Sequence, residues 1–332
     1  MRLNIKTKFV KYPIIVHHGL IKSVKLLKNG IIITDKNVKK IYGKYFRKNK
    51  ILAIDPGENS KKLKIIEQLA EQLIKLKANR QTILVALGGG VVGDITGFLA
   101  AIYMRGINFI QIPTTLLSMV DASIGGKTGV NLKSGKNLIG SFYQPQAVYI
   151  DPQVLQTLPE KEFQNGIAEV IKHGVIDGKL FFWLEKNKEK IKNKDPKILE
   201  QLIYKNVLIK KKIIAQDEKE KNIRAILNLG HTFGHAMETL SNYKISHGQA
   251  VAIGLAVASQ REEKIINLLS YFGLTTRIPK KMDVKKIVEI MRADKKNQSN
   301  KITVVIPEKI GKVKIVKNYP IKKIISCLSL SK

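Results

Sequence analysis

Two patterns of hydrophobic spacing divide the chain near residue 158. Before that point, short runs of apolar and β-branched residues alternate with helix-like segments such as residues 61–77. This alternation predicts parallel strands joined by crossover helices. The predicted strands cover residues 13–16, 30–34, 51–54, 82–87, 108–112 and 147–151. The first domain, residues 1–158, is therefore predicted to belong to the α/β class.

After residue 158 the apolar positions recur mostly at spacings of three, four and seven, which is typical of amphipathic helices. Helices are predicted at residues 159–175, 198–218, 230–240 and 247–272, and a small hairpin at residues 301–306 and 312–316. A chain of 332 residues has room for two domains of ordinary size. We therefore expect a second, mostly α-helical domain over residues 159–332.

The formal net charge of +33 raises the question of a nucleic-acid partner. Only 8 of the 59 basic residues are arginine, the residue that recognises phosphates and bases through paired hydrogen bonds. The lysines occur in mixed runs with isoleucine, asparagine and glutamate, without interleaved aromatic residues. The charge favours a solvated lysine-rich surface and no specific nucleic-acid site, and a polyanion-binding protein is the non-enzyme alternative.

The single cysteine, Cys327, can form neither an internal disulfide nor a thiolate metal cluster. No run of about 18 apolar residues occurs in the sequence, and we expect no secretory signal. The sequence therefore predicts a cytoplasmic protein without a membrane partner, in which histidine and carboxylate side chains hold any metal.

Residues 81–160 carry no net charge in this lysine-rich chain, and they contain two glycine-rich motifs. GGGVVGD, at residues 88–94, joins a predicted strand to an apolar helix, as in turns that bind a pyrophosphate. A tight strand-to-helix turn would use the same glycines. SIGGKTG, at residues 123–129, lacks the spacing of a Walker phosphate loop but delivers one lysine into a polar segment. We interpret this second motif as functional.

Three of the six histidines lie close together in the second half of the chain. His231 and His235 are four residues apart and share one face of a predicted helix, as zinc-binding pairs do. Glu169 and Lys172 lie one turn apart in an apolar helix, where a buried acid needs a partner or a metal. These residues predict a metal site, and helix histidines that merely pair with Glu238 are the alternative.

A row of polar residues precedes and includes these histidines. Arg224, Asn228, His231 and His235 recur at spacings of three and four, so one continuous helix would project them from one side. A substrate with anionic and hydroxyl groups would suit such a row. Lys210 lies upstream in a run of three lysines that the pattern cannot tell apart.

Taken together, these motifs resemble the 3-dehydroquinate synthase family of sugar phosphate cyclases. The resembling runs occur in order between about residue 12 and residue 310, and they include GGGVVGD at 88–94, PTTLL at 113–117, VDASIGGKTGVN at 120–131, AEVIK at 168–172, LNLGHTFGHAME at 227–238 and DKK at 294–296. The resemblance implies a Rossmann-like NAD-binding α/β domain, a mostly α-helical metal-binding domain, an active site in the cleft and a homodimer. The implied cofactors are NAD and a divalent metal, zinc or cobalt.

Carried over residue by residue, the resemblance assigns the metal to Glu169, His231 and His247, and it moves His235 to the substrate side. It assigns NAD to Asp35, Asn37, Glu58, Asn59, Ser60, Lys61, Gly90, Val91, Val92, Gly93, Asp94, Thr114, Thr115, Lys127, Lys136, Val154, Leu155, Gln156 and Thr157. It assigns the substrate to Asp121, Lys127, Asn137, Lys172, Lys210, Arg224, Asn228, His235 and one of Lys295 and Lys296.

Arg105 is expected to reach the substrate phosphate of a neighbouring subunit. Its sequence neighbours are apolar, and an unpaired arginine among buried apolar residues would be costly, so we also expect an anionic partner for it. A salt bridge to a distant glutamate of the same chain is the alternative.

The resemblance implies conversion of 3-deoxy-D-arabino-heptulosonate 7-phosphate to 3-dehydroquinate and phosphate, a step of the shikimate pathway. NAD would oxidise a secondary alcohol and be regenerated after phosphate elimination, before ring opening and aldol closure, while a metal polarises the C–O group. Two motifs depart from the family pattern, HHGL at residues 17–20 and DPGE at 55–58, and both concern cofactor affinity. Alternatives are another sugar phosphate cyclase or a metal-dependent alcohol or glycerol dehydrogenase, which would release NADH.

Overall fold

The structure is a computed structural model that describes residues 1–7, 10–23, 30–293 and 302–331. The chain forms two compact units: Met1–Leu158 with Pro196–Lys219, and Pro159–Asp195 with Glu220–Lys332. The predicted domains also meet after residue 158, but residues 196–219 were expected in the second domain. In the structure they group with the first unit, because their helix buries its apolar face against strands of that unit.

Helices and strands follow one another along the chain with these bounds. The strands are β1 (Arg2–Lys6), β2 (Lys11–Val16), β3 (Gly30–Asp35), β4 (Lys50–Ile54), β5 (Ile83–Gly88), β6 (Phe109–Pro113), β7 (Lys127–Leu132), β8 (Gly135–Phe142), β9 (Ala147–Ile150), β10 (Val304–Lys309) and β11 (Lys312–Val316). The α-helices are α1 (Leu20–Ser23), α2 (Lys36–Tyr42), α3 (Leu63–Lys75), α4 (Gly90–Ile102), α5 (Glu160–Ile176), α6 (Gly178–Lys192), α7 (Pro196–Gln216), α8 (His231–Leu240), α9 (His247–Ala258), α10 (Glu263–Tyr271), α11 (Val284–Ala293) and α12 (Ile321–Leu330).

A seven-stranded sheet forms the centre of the first unit, with the strand order β1-β2-β9-β6-β5-β3-β4. Neighbouring strands are parallel except for the antiparallel pair β1 and β2. Every residue of β5 is buried, as expected for a strand covered on both faces. The predicted α/β class is confirmed, and each predicted strand is present to within about two residues.

The second glycine-rich motif, residues 123–129, leads into an antiparallel hairpin of β7 and β8, which packs on α4. Glycines allow the two strands to approach closely: a Cβ atom at Gly129 would lie 2.6 Å from a backbone oxygen of β8. A Cβ atom at Gly140 would lie 2.1 Å from a backbone oxygen of β7. The glycines of this segment therefore have a packing reason as well as any functional one.

The second unit is mostly helical, as predicted, and contains the hairpin of β10 and β11. Helix α9 is buried along nearly its whole length and packs on α8 and α5. The single helix predicted over residues 247–272 is wrong, because the chain breaks between α9 and α10. Gln260 and Arg261 adopt left-handed φ angles of 50° and 63° there, which end the helix. No described helix is both long and apolar enough to cross a membrane.

Candidate active site

The turn between β5 and α4 is one of the two candidate nucleotide-binding features. A Cβ atom at Gly88 would lie 2.6 Å from Val92, and one at Gly93 would lie 2.7 Å from the side chain of Gln111. Packing alone therefore explains these two glycines. A Cβ atom at Gly90 would only make an ordinary 3.5 Å contact, so the fold does not require glycine there. Gly90 is the first residue of α4, and backbone N–H groups at a helix N-terminus can bind anionic ligands.

Thr114 and Thr115 lie beside this turn, at the end of β6. The backbone N–H of Thr114 donates to the Gly88 carbonyl oxygen at 2.9 Å. The hydroxyl of Thr115 lies 2.8 Å from that of Ser118. The structure thus brings together two groups of predicted NAD residues that are about 20 residues apart in the sequence.

Lys61 connects the same helix to the β7–β8 hairpin. Its Nζ atom lies 2.5 Å from Asp94 Oδ2 and donates to Asn137 Oδ1 at 2.6 Å. The Lys61 side chain is 7% exposed and that of Asp94 is 21% exposed. Burial by itself would lower the pKa of Lys61, but the Asp94 carboxylate raises it above the usual range. The lysine therefore stays charged and pairs one-to-one with the aspartate.

Two further predicted NAD segments meet at helix α2. Asp35 caps this helix, and its Oδ1 atom accepts the backbone N–H of Asn37 at 2.9 Å. At the other end of the helix, the Tyr42 hydroxyl lies 2.5 Å from the Thr157 hydroxyl and donates to the Val154 carbonyl oxygen at 3.2 Å. The turn at residues 154–157 is thereby fastened to the helix that Asp35 begins.

The structure distinguishes Lys210 from the two lysines that follow it. Lys210 is buried on α7, whereas Lys211 is half-buried and Lys212 is exposed. Its Nζ atom donates to Asp121 Oδ1 at 2.6 Å and to the Asp121 carbonyl oxygen at 2.5 Å. Both residues were assigned to the substrate, and both belong to the first unit.

In the second unit, close helix packing gathers one carboxylate and two imidazoles. A Cβ atom at Gly234 of α8 would lie 2.7 Å from the Ala250 carbonyl oxygen of α9. A Cβ atom at Gly248 of α9 would lie 2.4 Å from Asn165 of α5, whose side chain accepts the Gly248 N–H at 3.1 Å. These close crossings place the first turns of α8 and α9 next to the buried middle of α5.

The resulting cluster consists of Glu169, His231 and His247. His231 Nε2 and His247 Nε2 lie 3.2 Å and 3.1 Å from the same Glu169 Oε1 atom. The ligand atoms of the three residues all lie within 4.8 Å of one another. Lys172 Nζ contacts the other carboxylate oxygen. Two histidines and one glutamate are a ligand set of catalytic zinc sites, so the donors fit a divalent metal.

The outer ring nitrogens also have acceptors, as in metal sites where a second group orients each imidazole. His231 Nδ1 lies 3.2 Å from the Leu229 carbonyl oxygen. His247 Nδ1 lies 3.5 Å from Glu238 Oε2, and Glu238 is buried. Both imidazoles can therefore direct Nε2 towards a common ion.

The electrostatics of the cluster agree with this chemistry. Burial alone would raise the pKa of Glu169, but Lys172 and His231 hold it well below the usual range. Burial lowers the pKa of His231. For His247, burial is outweighed by hydrogen bonds to Glu169 and Glu238, which raise its pKa to about 9. The lowered pKa values of Glu169 and His231 suit metal ligands, whereas the raised pKa of His247 means that this imidazole must release a proton to become one.

A second metal-capable group shares one member with the first. The ligand atoms of His235, Glu238 and His247 also lie within 4.8 Å of one another. The rings of His231 and His235 are neighbours, with centroids 5.1 Å apart, but they fall into different groups. The assignment of the metal to Glu169, His231 and His247 stays a prediction.

The polar row before α8 does not lie on one continuous helix. Arg224 and Asn228 belong to a 3₁₀ turn, Ile223–Asn228, and the chain reverses at Gly230, whose φ angle is 76°. The helical spacing expected for the row is therefore wrong at this point. Arg224 is nevertheless only 2% exposed, and a buried guanidinium requires charged or polar partners.

Arg105 lies in a strained segment on the surface. Met104, Arg105 and Gly106 have positive φ angles of 49°, 69° and 122°. Arg105 is exposed, as are Met104 and Ile102. The expectation that burial forces an anionic partner on Arg105 is therefore wrong for the single chain, because water solvates its guanidinium.

The remaining predicted residues lie on the hairpin, in a 3₁₀ turn or outside the described part of the chain. Lys127 begins β7 and is exposed, and Lys136 lies in β8. Asn59 and Ser60 belong to a 3₁₀ turn, Glu58–Ser60. Lys295 and Lys296 lie outside the described residues.

Two polar residues of these clusters were not predicted. Asn131 donates to Glu58 Oε1 at 2.7 Å and accepts the Asn137 N–H at 2.9 Å. Glu220 accepts a hydrogen bond from Asn228 Nδ2 at 2.6 Å. Asn131 ends one of the resembling runs, which could have identified it, whereas Glu220 lies among lysines without a periodic signal.

Comparison with known proteins agrees with both halves of this description. The 3-dehydroquinate synthase N-terminal family matches residues 51–165, and the 3-dehydroquinate synthase C-terminal family matches residues 166–297. The 3-dehydroquinate synthase of Dictyoglomus thermophilum is 44% identical over 98% of this chain and 97% of its own length.

Two solved structures separate the related classes. A 2-deoxy-scyllo-inosose synthase complexed with carbaglucose-6-phosphate, NAD+ and Co2+ matches with a TM-score of 0.86 and 27% identity, covering 100% of both chains. An iron containing alcohol dehydrogenase has a TM-score of 0.67 and 14% identity, covering 96% of this chain and 97% of its own, which shows a shared fold alone. The fold is that of the sugar phosphate cyclases. Within that class, the chain belongs to the 3-dehydroquinate synthase family.

Proposed function

We propose that this protein converts 3-deoxy-D-arabino-heptulosonate 7-phosphate to 3-dehydroquinate and phosphate, using catalytic NAD and a divalent metal. The observation that carries the proposal is the convergence of Glu169, His231 and His247 in a chain of the 3-dehydroquinate synthase family. The enzyme is then a carbon–oxygen lyase acting on a phosphate ester, and it serves the shikimate pathway.

NAD binding is assigned to the first unit. The β5–α4 turn offers backbone N–H groups to the pyrophosphate, and packing alone does not require a glycine at Gly90. Asp35 ends β3 and places a carboxylate where such folds bind ribose hydroxyls. The ion pair of Lys61 with Asp94 and the hydrogen bond of Lys61 to Asn137 join α4 to the β7–β8 hairpin.

The metal, zinc or cobalt, is assigned to Glu169, His231 and His247. When bound, it supplies a Lewis acid that polarises the substrate C–O group. Lys172 contacts Glu169 and is 1% exposed, so it keeps the carboxylate ionised and oriented. His235 lies beside His231 and is assigned to the substrate, as is the buried cation Arg224.

We assign the protein to the cytoplasm as a homodimer, with no specific nucleic acid and no membrane as partner. Large apolar side chains support the dimer: Ile102, Met104, Leu138 and Phe142 are between 41% and 50% exposed. They lie at the end of α4 and on the hairpin that packs on it. In this assembly the exposed Arg105 acts across the subunit boundary on the substrate phosphate.

Phosphate release tests the reaction. The protein is incubated with 3-deoxy-D-arabino-heptulosonate 7-phosphate, a divalent metal and NAD in less than stoichiometric amount. We expect many equivalents of phosphate per NAD, because the hydride returns within the cycle. Accumulation of one NADH per substrate would instead favour a dehydrogenase. Salt-sensitive binding to any nucleic acid, without turnover, would favour the polyanion-binding alternative.

Complementation between two chains of strongly reduced activity tests the shared site. Arg105→Ala and His235→Ala chains are mixed under conditions that exchange subunits. A mixed dimer with one intact site regains activity. No recovery, in a preparation shown to contain mixed dimers, would contradict the role of Arg105 across the boundary.

A further inference from the structure

A hydrogen-bonded network ties the β7–β8 hairpin to the turn that contains Glu58 and Lys61. The side chain of Asn131 lies at its centre: Nδ2 donates to Glu58 Oε1 at 2.7 Å, and Oδ1 accepts the backbone N–H of Asn137 at 2.9 Å. The backbone N–H of Asn131 donates to the Lys61 carbonyl oxygen at 2.8 Å. One residue therefore holds both the turn and the second strand of the hairpin.

Asn137 depends on this support. Its φ angle of 54° lies in the left-handed region, which residues other than glycine adopt only when neighbouring contacts stabilise it. Asn131 holds its backbone, and Lys61 holds its side chain through the 2.6 Å hydrogen bond to Oδ1. The position of Asn137 thus follows the position of the Glu58–Lys61 turn.

The hairpin is irregular at the point where Asn131 lies. The pairing of β7 with β8 shifts register between Val130 and Leu132, and such an irregularity redirects a side chain out of the regular ladder. An asparagine suits the position because one planar group both donates to Glu58 and accepts from Asn137. Aspartate at this position would offer acceptors only.

We propose that Asn131 is a positioning residue that couples NAD binding to substrate binding. The inference rests on the proposed function, in which Glu58 and Lys61 contact NAD and Asn137 contacts the substrate. Bound NAD holds the Glu58–Lys61 turn in place, and the turn positions the Asn131 amide. The amide in turn positions Asn137 to contact the substrate. By linkage, bound substrate tightens NAD binding by the same factor. This coupling keeps the reduced cofactor bound in the interval between the oxidation and the re-reduction of the substrate.

The two side-chain hydrogen bonds of Asn131 can be separated by substitution. Asn131→Asp keeps an oxygen for the Asn137 N–H but places a carboxylate oxygen against Glu58, so it breaks only the side-chain hydrogen bond to the turn and leaves the backbone hydrogen bond to Lys61. Asn131→Ala removes both connections. Asn4→Asp, on the exposed face of β1, adds the same charge elsewhere and is the matched control.

The readout is the KM for NAD of the metal-loaded enzyme at subsaturating and at saturating substrate. We expect the ratio of these two KM values to be on the order of ten in the unsubstituted chain and in Asn4→Asp, and clearly smaller in Asn131→Asp, where only the Lys61 contacts still join the turn to Asn137. Asn131→Ala, which is used if the aspartate variant does not fold, also lowers the ratio and in addition raises the substrate KM. A purely structural defect would raise both NAD values by one factor and leave their ratio unchanged.

Each outcome has a distinct meaning. An Asn131→Asp enzyme that keeps the ratio of the unsubstituted chain overturns the coupling role, and so does a ratio of one in the unsubstituted enzyme while phosphate is still released. If the unsubstituted enzyme releases no phosphate, the proposed function fails and the coupling fails with it.

Discussion

Two buried charge clusters of this chain balance their charges in different ways. In the first unit, Lys61 pairs directly with one carboxylate, Asp94, and with the neutral amide of Asn137, and Glu58 adds a second negative charge nearby. In the second unit, the single carboxylate of Glu169 is shared by an ammonium and two imidazoles. A one-to-one pair satisfies itself and can hold backbone segments in place. A carboxylate facing several nitrogen donors is a ligand set, which a divalent cation completes when the imidazoles are neutral.

The largest expected effect is a difference in stability between variants that lose Glu169 and variants that lose Asp94. In chelator-treated protein, Glu169→Gln leaves Lys172, which is 1% exposed, without its anion, and losing one partner of a buried pair costs about 3–5 kcal/mol. Asp94→Asn should cost only about 1–2 kcal/mol, since Asp94 is partly exposed and Lys61 keeps its hydrogen bond to Asn137. Denaturant unfolding measures both values. Equal losses would mean that the two clusters do not differ in this way.

Metal content tests which histidines of the second unit bind the metal. We expect His231→Ala and His247→Ala to purify without bound metal, whereas His235→Ala keeps about one ion per chain and turns over slowly. The reason is that two ligands alone form a weak, water-exposed chelate. Elemental analysis after dialysis against trace zinc measures the stoichiometry. A metal-free His235→Ala together with a metal-loaded His231→Ala would assign the ion to the group of His235, Glu238 and His247 instead.

The two clusters were not equally predictable from the sequence. Glu169 and the histidines were identified by residue type, because a buried acid and a concentration of histidines are rare in a lysine-rich chain. The geometry that selects His247 depends on helix crossings set by Gly234 and Gly248, which no local pattern reports. Conversely, the spacing of the polar residues wrongly predicted one continuous helix through Gly230, whose φ angle is left-handed.

The elements of the fold also differ in how well the sequence predicted them. The parallel strands were predicted because burial on both faces demands continuous β-branched runs, as in β5. The hairpin of β7 and β8 was missed because its strands contain glycines, which are uncommon in strands and favour the prediction of a loop. The end of α9 was missed because Gln260 and Arg261 adopt left-handed angles without being glycine. Exposure could not be predicted either: the apolar neighbours of Arg105 are themselves on the surface.

A smaller effect is expected at Glu238, which contacts the predicted metal ligand His247. Glu238 Oε2 lies 3.5 Å from His247 Nδ1, and a carboxylate there orients the imidazole and increases its basicity. Glu238→Gln should weaken metal affinity about tenfold, within the range known for such outer contacts, while the folded structure persists. Competition with a chromogenic chelator measures the affinity. An unchanged affinity would show that His247 is held by helix packing alone.

The smallest effect is expected where charges pair on the surface. Lys36 Nζ lies 2.5 Å from Asp55 Oδ1, but the two side chains are 66% and 73% exposed. Water and salt screen such a pair, so Lys36→Ala should change the free energy of unfolding by no more than about 0.5 kcal/mol. The contrast with Glu169→Gln tests whether burial, and not ion-pair distance, decides what a charged contact contributes. Denaturant unfolding at low and high salt measures the free energy of unfolding of each variant.

A loss above about 1 kcal/mol that disappears in salt would contradict this expectation. It would show that the lysine-rich surface stabilises the fold through its few carboxylates, because each carboxylate then lies in an unusually strong positive field.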